Sequence, residues 1–350
     1  MNFINDVRII RTIMPITAKV KILVGMFVVL ILVGCEQWDT AKSTHEVRVV
    51  PNELDEFVGL IEDNLVFVEG GKFLMGDYGQ QYGPEKLPYD ADKDSKPLHR
   101  VQLTGYSVEK YKVTNHAFQF YLKSNGLHLR QDAAGINFER FSSPPNNPAH
   151  MDWYEADRYC RWLADISSLP FALPTEAQWE YAARSRGQYL MVATDDGTYK
   201  VASELKTGER GPRGVNISTS WDRRAYAKEM GWRTAGLTPL PVNKFPPNPL
   251  GLYSMSDNGQ EWIKDWYDPD YYTRSPLKDP QGPDKPMHKD YYGRTTKVVR
   301  GQGFADPAWG GGVNVHRASA DPSGRMNDDD LAYLSSKTAR CVVNSPKPLK

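Results

Sequence analysis

The chain is short of cysteine, carries no net charge and has no apolar run of the length that spans a bilayer. Three cysteines in 350 residues exclude a small disulfide-built scaffold. The absence of any Cys-x-x-Cys pair excludes zinc-ribbon and thioredoxin-type centres. Forty-three Lys and Arg against 43 Asp and Glu leave no field of one sign, so charge calls for no nucleic acid and no anionic surface as partner. No His-Glu-x-x-His, Gly-x-Ser-x-Gly or Gly-x-x-x-x-Gly-Lys occurs, which removes the common metalloprotease, serine-hydrolase and phosphate-loop signatures. Gly301-Gln302-Gly303 runs on to Asp306 without a third glycine or a helical pattern, so it is not a dinucleotide site. The seven histidines are scattered and read as loop and surface residues.

One segment can engage lipid. Ile22 to Val33 is apolar, follows Arg8, Arg11, Lys19 and Lys21, and ends in Leu32-Val33-Gly34-Cys35. It is too short for a span, which needs roughly 20 residues, but fits the core of a signal peptide. Small residues before the cysteine resemble a bacterial lipobox, which implies cleavage before Cys35 and lipidation of its thiol. The alternative is an uncleaved anchor, and Met14 is a second candidate start. Glu36 in place of Asp points to the outer membrane, with the protein facing the periplasm. Residues 1–34 are thus expected to be a signal peptide, 35–60 a polar tether and 61–348 one domain. In an oxidising compartment Cys160 and Cys341 are either a disulfide or two buried thiols.

Within the domain, 28 glycines, 25 prolines and 19 tyrosines indicate a folded, loop-rich architecture. Leu65-Val66-Phe67-Val68 and Lys72-Phe73-Leu74-Met75 around Gly70-Gly71 predict a hairpin, and Val101-Gln102-Leu103 a strand. Thr114 caps a predicted helix carrying Ala117, Phe118, Tyr121 and Leu122, closed by Gly126. Asp152 with Glu155, and Thr175 with Gln178, make capping-box patterns before two more. Residues 185–240 and 274–297 read as surface loops. Glu176 and Glu180, at i and i+4, read as structural ion-pair formers rather than an acid–base pair.

Phe67 to Gly76, Tyr111-Lys112-Val113-Thr114-Asn115, Trp153 to Cys160, Leu173 to Arg184, Gly251-Leu252-Tyr253, Glu261-Trp262 and Val299-Arg300-Gly301 occur in one order. Together they resemble the formylglycine-generating enzyme (sulfatase-modifying factor) family. The resemblance implies an α/β (α+β) single domain, loop-rich and related to C-type lectins. It also implies a Cys160–Cys341 disulfide, and calcium held by Ser254, Asp257, Gly259 and Glu261. The family's catalysts oxidise a substrate cysteine with two copper-binding cysteines. The matching interval from Arg300 to Arg317 has none, with Ala308, Gly312 and Val313 among its residues, and these side chains cannot replace a thiolate on copper. No copper is therefore expected. Iron-using relatives take their histidines from a helical domain that this sequence lacks.

The expected function is a non-catalytic, lipid-anchored envelope protein that binds a protein partner, as a scaffold, secretion-associated accessory or toxin-immunity protein. The competing expectation is an oxidoreductase of the pyoverdine-maturation type, with a repurposed pocket around Asp306, His316 and Arg317. Gly310-Gly311-Gly312 beside Arg317 would then hold an anion. Replacing Cys35 by Ser should move the protein from the membrane fraction to the soluble one. Unchanged membrane association with the leader retained would overturn the lipoprotein reading.

Overall fold

The computed structural model describes residues 51–129, 140, 142–200, 214–233, 238–304, 312–324 and 337–349. The leader, Cys35 and Asp306 lie outside them. Strand β1 (Leu65–Val68) and strand β2 (Gly71–Met75) do not form the hairpin their sequence predicts. They run on as one arm of a longer antiparallel ribbon whose other arm is β3 (His99–Leu103) and β4 (Tyr106–Glu109). Val68 faces Tyr106 and Gly71 faces Leu103 in a single continuous register. The glycine pair serves close packing instead of a turn: a Cβ on Gly70 would sit 2.4 Å from the Leu103 carbonyl oxygen.

Four-stranded sheet one has the order β1-β4-β10-β5, with β5 at Phe171–Ala172 and β10 at Val342–Val343. Strands β2 and β3 form a two-stranded sheet. The third sheet has the order β8-β7-β6-β9, built from β6 (Gln260–Trp266), β7 (Lys297–Arg300), β8 (Ala318–Ala320) and β9 (Lys337–Thr338).

Helix α1 (Pro51–Asp63) occupies ground expected to be tether. Its anchors are Phe57 and Ile61, one helical turn apart and buried, with Phe57 stacked 4.2 Å from the Phe120 ring. Leu54, Phe57, Val58 and Ile61 fall at i, i+3, i+4 and i+7, an amphipathic pattern that the tether reading passes over. Helix α2 (Gly79–Tyr82) is one turn in the loop between β2 and β3. Helices α3 (Asn115–Ser124), α4 (Trp153–Ser167) and α5 (Glu176–Ala183) stand where their caps predict. The Thr114 side chain accepts from the Ala117 amide, and both capping boxes are closed. Helix α6 (Ser220–Glu229) lies inside a stretch expected to be loop. Its mean hydropathy is low, and it buries Arg223 and Ala227 instead of an apolar stripe. Among the described residues no helix is long and apolar enough to cross a membrane.

Cys160 of α4 and Cys341, next to β10, are joined by a disulfide with their Cα atoms 5.7 Å apart. The bond sits in an apolar cluster with Tyr121, Tyr159, Leu163 and Trp262. Beside it the buried Glu109 carboxylate accepts from the Cys341 amide at 2.6 Å. Burial pushes Glu109 up to about 7, against the pull of that bond and of Arg340. The sulfurs close a loop of 181 residues, which in the chain-entropy model restrains the unfolded chain by roughly 5 kcal/mol, less any native strain. Replacing both cysteines by alanine should lower the unfolding free energy by several kcal/mol in denaturant titration. An unchanged midpoint would mean that the bond contributes nothing.

Candidate functional site

Two clusters of buried charge stand out among the described residues. The first is built on α5. Its capping box fixes the helix start, so Glu176 and Glu180 project from one face one turn apart, and both are buried. Glu176 takes a two-pronged bond from Arg317, Nε to Oε1 at 2.7 Å and Nη2 to Oε2 at 2.9 Å. Arg300, at the end of β7, bridges the two acids, with Nη1 to Glu176 at 2.7 Å and Nη2 to Glu180 at 2.8 Å. Arg184 reaches Glu180 at 2.9 Å and the Leu74 carbonyl at 2.7 Å. Burial alone would raise Glu176, but Arg317 and Arg300 hold it below the usual carboxylate range. Its neighbour Asp265, buried and repelled by Glu176, is pushed up to about 7. The pairing expected of Glu176 and Glu180 is what the structure contains, with three arginines as partners.

This cluster bears on Arg317, one of the three residues expected around a pocket; Asp306 lies outside the described residues. Arg317 is 2% exposed, and its third direction is taken by the carbonyl oxygen of Asp94 at 2.7 Å. It is therefore a structural tie and not a receptor for an anion. His316, half-buried, faces Asp90 instead, Nδ1 to Oδ1 at 3.4 Å. The two adjacent residues serve different partners, Glu176 and Asp90. A cleft of about 600 Å³ is lined by other residues, among them Lys72, Gln81, Tyr82, Arg100 and Tyr189. Gly301 adopts φ +78°, and a Cβ there would lie 2.4 Å from the Met255 carbonyl oxygen, so the chain leaving Arg300 can pass only as glycine.

The second cluster centres on Glu261. Its Oε1 accepts from Lys112 Nζ at 2.8 Å and Arg340 Nη2 at 2.9 Å. Its Oε2 accepts from Trp179 Nε1 at 2.8 Å and Arg340 Nε at 3.0 Å. Burial opposes ionisation, yet Arg340 and Lys112 hold Glu261 down to about 2. Lys112 Nζ also donates to the Gly259 carbonyl at 2.8 Å.

That geometry does not fit the expected calcium set. Gly259 and Glu261 already share a fixed ammonium, fully buried. Ser254 Oγ donates to the Val242 carbonyl, and Asp257 Oδ2 accepts from the Ser218 amide. Calcium takes six to eight oxygens at roughly 2.3–2.6 Å, and reaching two of these would mean expelling Lys112. The sequence reading missed Lys112, Trp179 and Arg340 as a unit. Their only signal was a lysine set between aromatic and apolar residues in Tyr111-Lys112-Val113.

Lys112→Met should lower the unfolding free energy by roughly 3–5 kcal/mol, reduced by what Arg340 still compensates. Added calcium should leave the melting temperature of the metal-free wild type where it was. A calcium-dependent rise in the wild type would restore the metal reading.

The sequence model of the family described as "Sulfatase-modifying factor enzyme 1-like domain" matches residues 55–342. The chain is 30% identical over 258 residues to the formylglycine-generating enzyme of Streptomyces coelicolor, covering 62% of this chain and 74% of that protein. It is 24% identical over 326 residues to mouse "Inactive C-alpha-formylglycine-generating enzyme 2", covering 81% and 87%. Among solved structures, PvdO from Pseudomonas aeruginosa aligns with a TM-score of 0.53 at 22% identity, over 80% of this chain and 93% of that one.

Proposed function

The chain belongs to the family of sulfatase-modifying factor enzyme 1-like domains, and on that footing we propose that it is a non-catalytic member that binds a protein partner. The proposal includes a lipid anchor at Cys35 and a place in the bacterial envelope. One observation carries it: the domain's two cysteines are bonded to each other, and the interval between Arg300 and Arg317 contains none. Copper chemistry at two thiolates therefore has no ligands in this domain. The residues bounding that interval are spent on ion pairs within the core. The mouse relative named as inactive supports the idea that the fold outlasts the reaction.

A surface for the partner is offered by the 274–297 segment. Tyr291 is 96% exposed, Met287 68% and Leu277 53%. Tyr292 packs edge-on against Tyr291 and beneath the Arg294 guanidinium. Tyrosine, methionine and arginine are the residues enriched in binding interfaces. Crosslinking in native envelopes followed by purification should recover one partner, and Tyr291→Ala with Tyr292→Ala should reduce its recovery about tenfold or more. The purified protein should leave a sulfatase-type cysteine peptide unconverted when incubated aerobically with copper. Conversion of that peptide would overturn the proposal. Oxidase turnover lost in His316→Ala would replace it with the oxidoreductase reading.

A further inference from the structure

The loop between β2 and β3 is acidic and tightly held. Asp77 accepts from the amides of Gly79, Tyr89 and Asp90. Lys96 donates to the carbonyls of Asp90 and Asp92 at 2.7 and 2.6 Å, and its ammonium lies 3.4 Å from Asp77. These bonds neutralise Asp77 and fix the backbone, but they leave the Asp90 and Asp92 carboxylates to find other charge. Asp90 is only 4% exposed, and its Oδ2 has no hydrogen-bond partner among the described residues. Asp90 Oδ1 accepts from the Asp92 amide at 3.1 Å and faces His316. Burial alone would raise the Asp90 carboxyl, but these two, with the Ser95 hydroxyl beside them, hold it below its usual range. Four residues on, Asp94 is 7% exposed, and its Oδ1 is likewise unpartnered. The two acids repel one another, Asp90 being among the groups that raise Asp94. A buried carboxylate oxygen without a donor is costly, and this loop holds two.

Across from the loop stands His316. One ligand atom each from Asp90, Asp92 and His316 lie within 4.8 Å of one another. Asp92 is exposed and His316 half-exposed, so the cluster opens to solvent while Asp90 forms its floor. We propose that Asp90, Asp92 and His316 form a binding site for one divalent transition-metal ion, with zinc the best match. Two carboxylate oxygens and one imidazole nitrogen are a hard-to-borderline set that suits zinc better than calcium or magnesium, which take oxygen. Three protein ligands leave a fourth position for water. The ion would add positive charge beside the Asp90 carboxylate and would tie the loop between β2 and β3 to the segment preceding β8. It is separate from the calcium set, and it does not depend on whether the domain binds a partner or turns over a substrate.

Titration calorimetry of the full chain in detergent, freed of metal by chelation, with zinc chloride as the probe, tests the site. One zinc per chain is expected. His316→Ala should weaken binding by at least about tenfold, and Asp90→Asn similarly. His316→Ala removes no core side chain, so its circular dichroism and melting temperature without metal should match the wild type. Zinc should raise the wild-type melting temperature and leave that of His316→Ala unchanged. No saturable zinc binding, or wild-type affinity in a folded His316→Ala variant, would overturn the proposal.

Discussion

Charge taken out of water must be matched inside the fold, and here that requirement organises the domain. Helix α5 is short and carries almost no amphipathic stripe, yet it is the point where three layers meet. Its two glutamates hold Arg300 from the third sheet, Arg317 from the approach to β8, and Arg184, which continues to the Leu74 carbonyl of the two-stranded sheet. Glu261 does the same between β6, the segment before α3 and the segment before β10. Ion pairs of this kind contribute little net stability over a well-packed apolar core, because desolvation offsets most of the attraction. What they impose is a geometric demand: each of these guanidiniums is aimed at a carboxylate on another element, and a slip of one layer would strand a charge.

The legible parts of the fold were those with local causes. Thr114, Asp152 and Thr175 announced helix starts because a capping side chain acts on an amide three residues away. The missed ribbon had a distant cause, whereas helix α6, with its Thr219–Asp222 capping box, carried a local signal that the loop reading passes over. Leu65 to Met75 reads as two strands about a turn, and only the partner arm at His99 to Glu109 makes it one ribbon. Helix α1 is different: its Leu54, Phe57, Val58 and Ile61 stripe was legible, and the Phe57 ring packs on Phe120 and Trp162.

The candidate site divided in the same way. Glu176 and Glu180 betrayed their role through helical spacing. Lys112 and Glu261, 149 positions apart, gave no such sign. A carboxylate and a glycine carbonyl that look like metal ligands in sequence look the same when an ammonium stands between them. Likewise His316 and Arg317 are neighbours in the chain but belong to different clusters, a separation that no linear pattern records.

Strand β10 has a bearing on how such a protein is made. It lies inside sheet one, between β4 and β5, and the residues just before it bring both Arg340 and Cys341. A chain emerging from its N-terminal side presents β4 and β5 long before their common neighbour exists. The first sheet cannot close, and Glu261 lacks one of its cations, until residues near 340 arrive. Acquisition of the native state is therefore a late, whole-domain event. A chain interrupted before that point would leave a gap in a sheet, Glu261 with Lys112 as its one cation, and an unpaired Cys160 thiol.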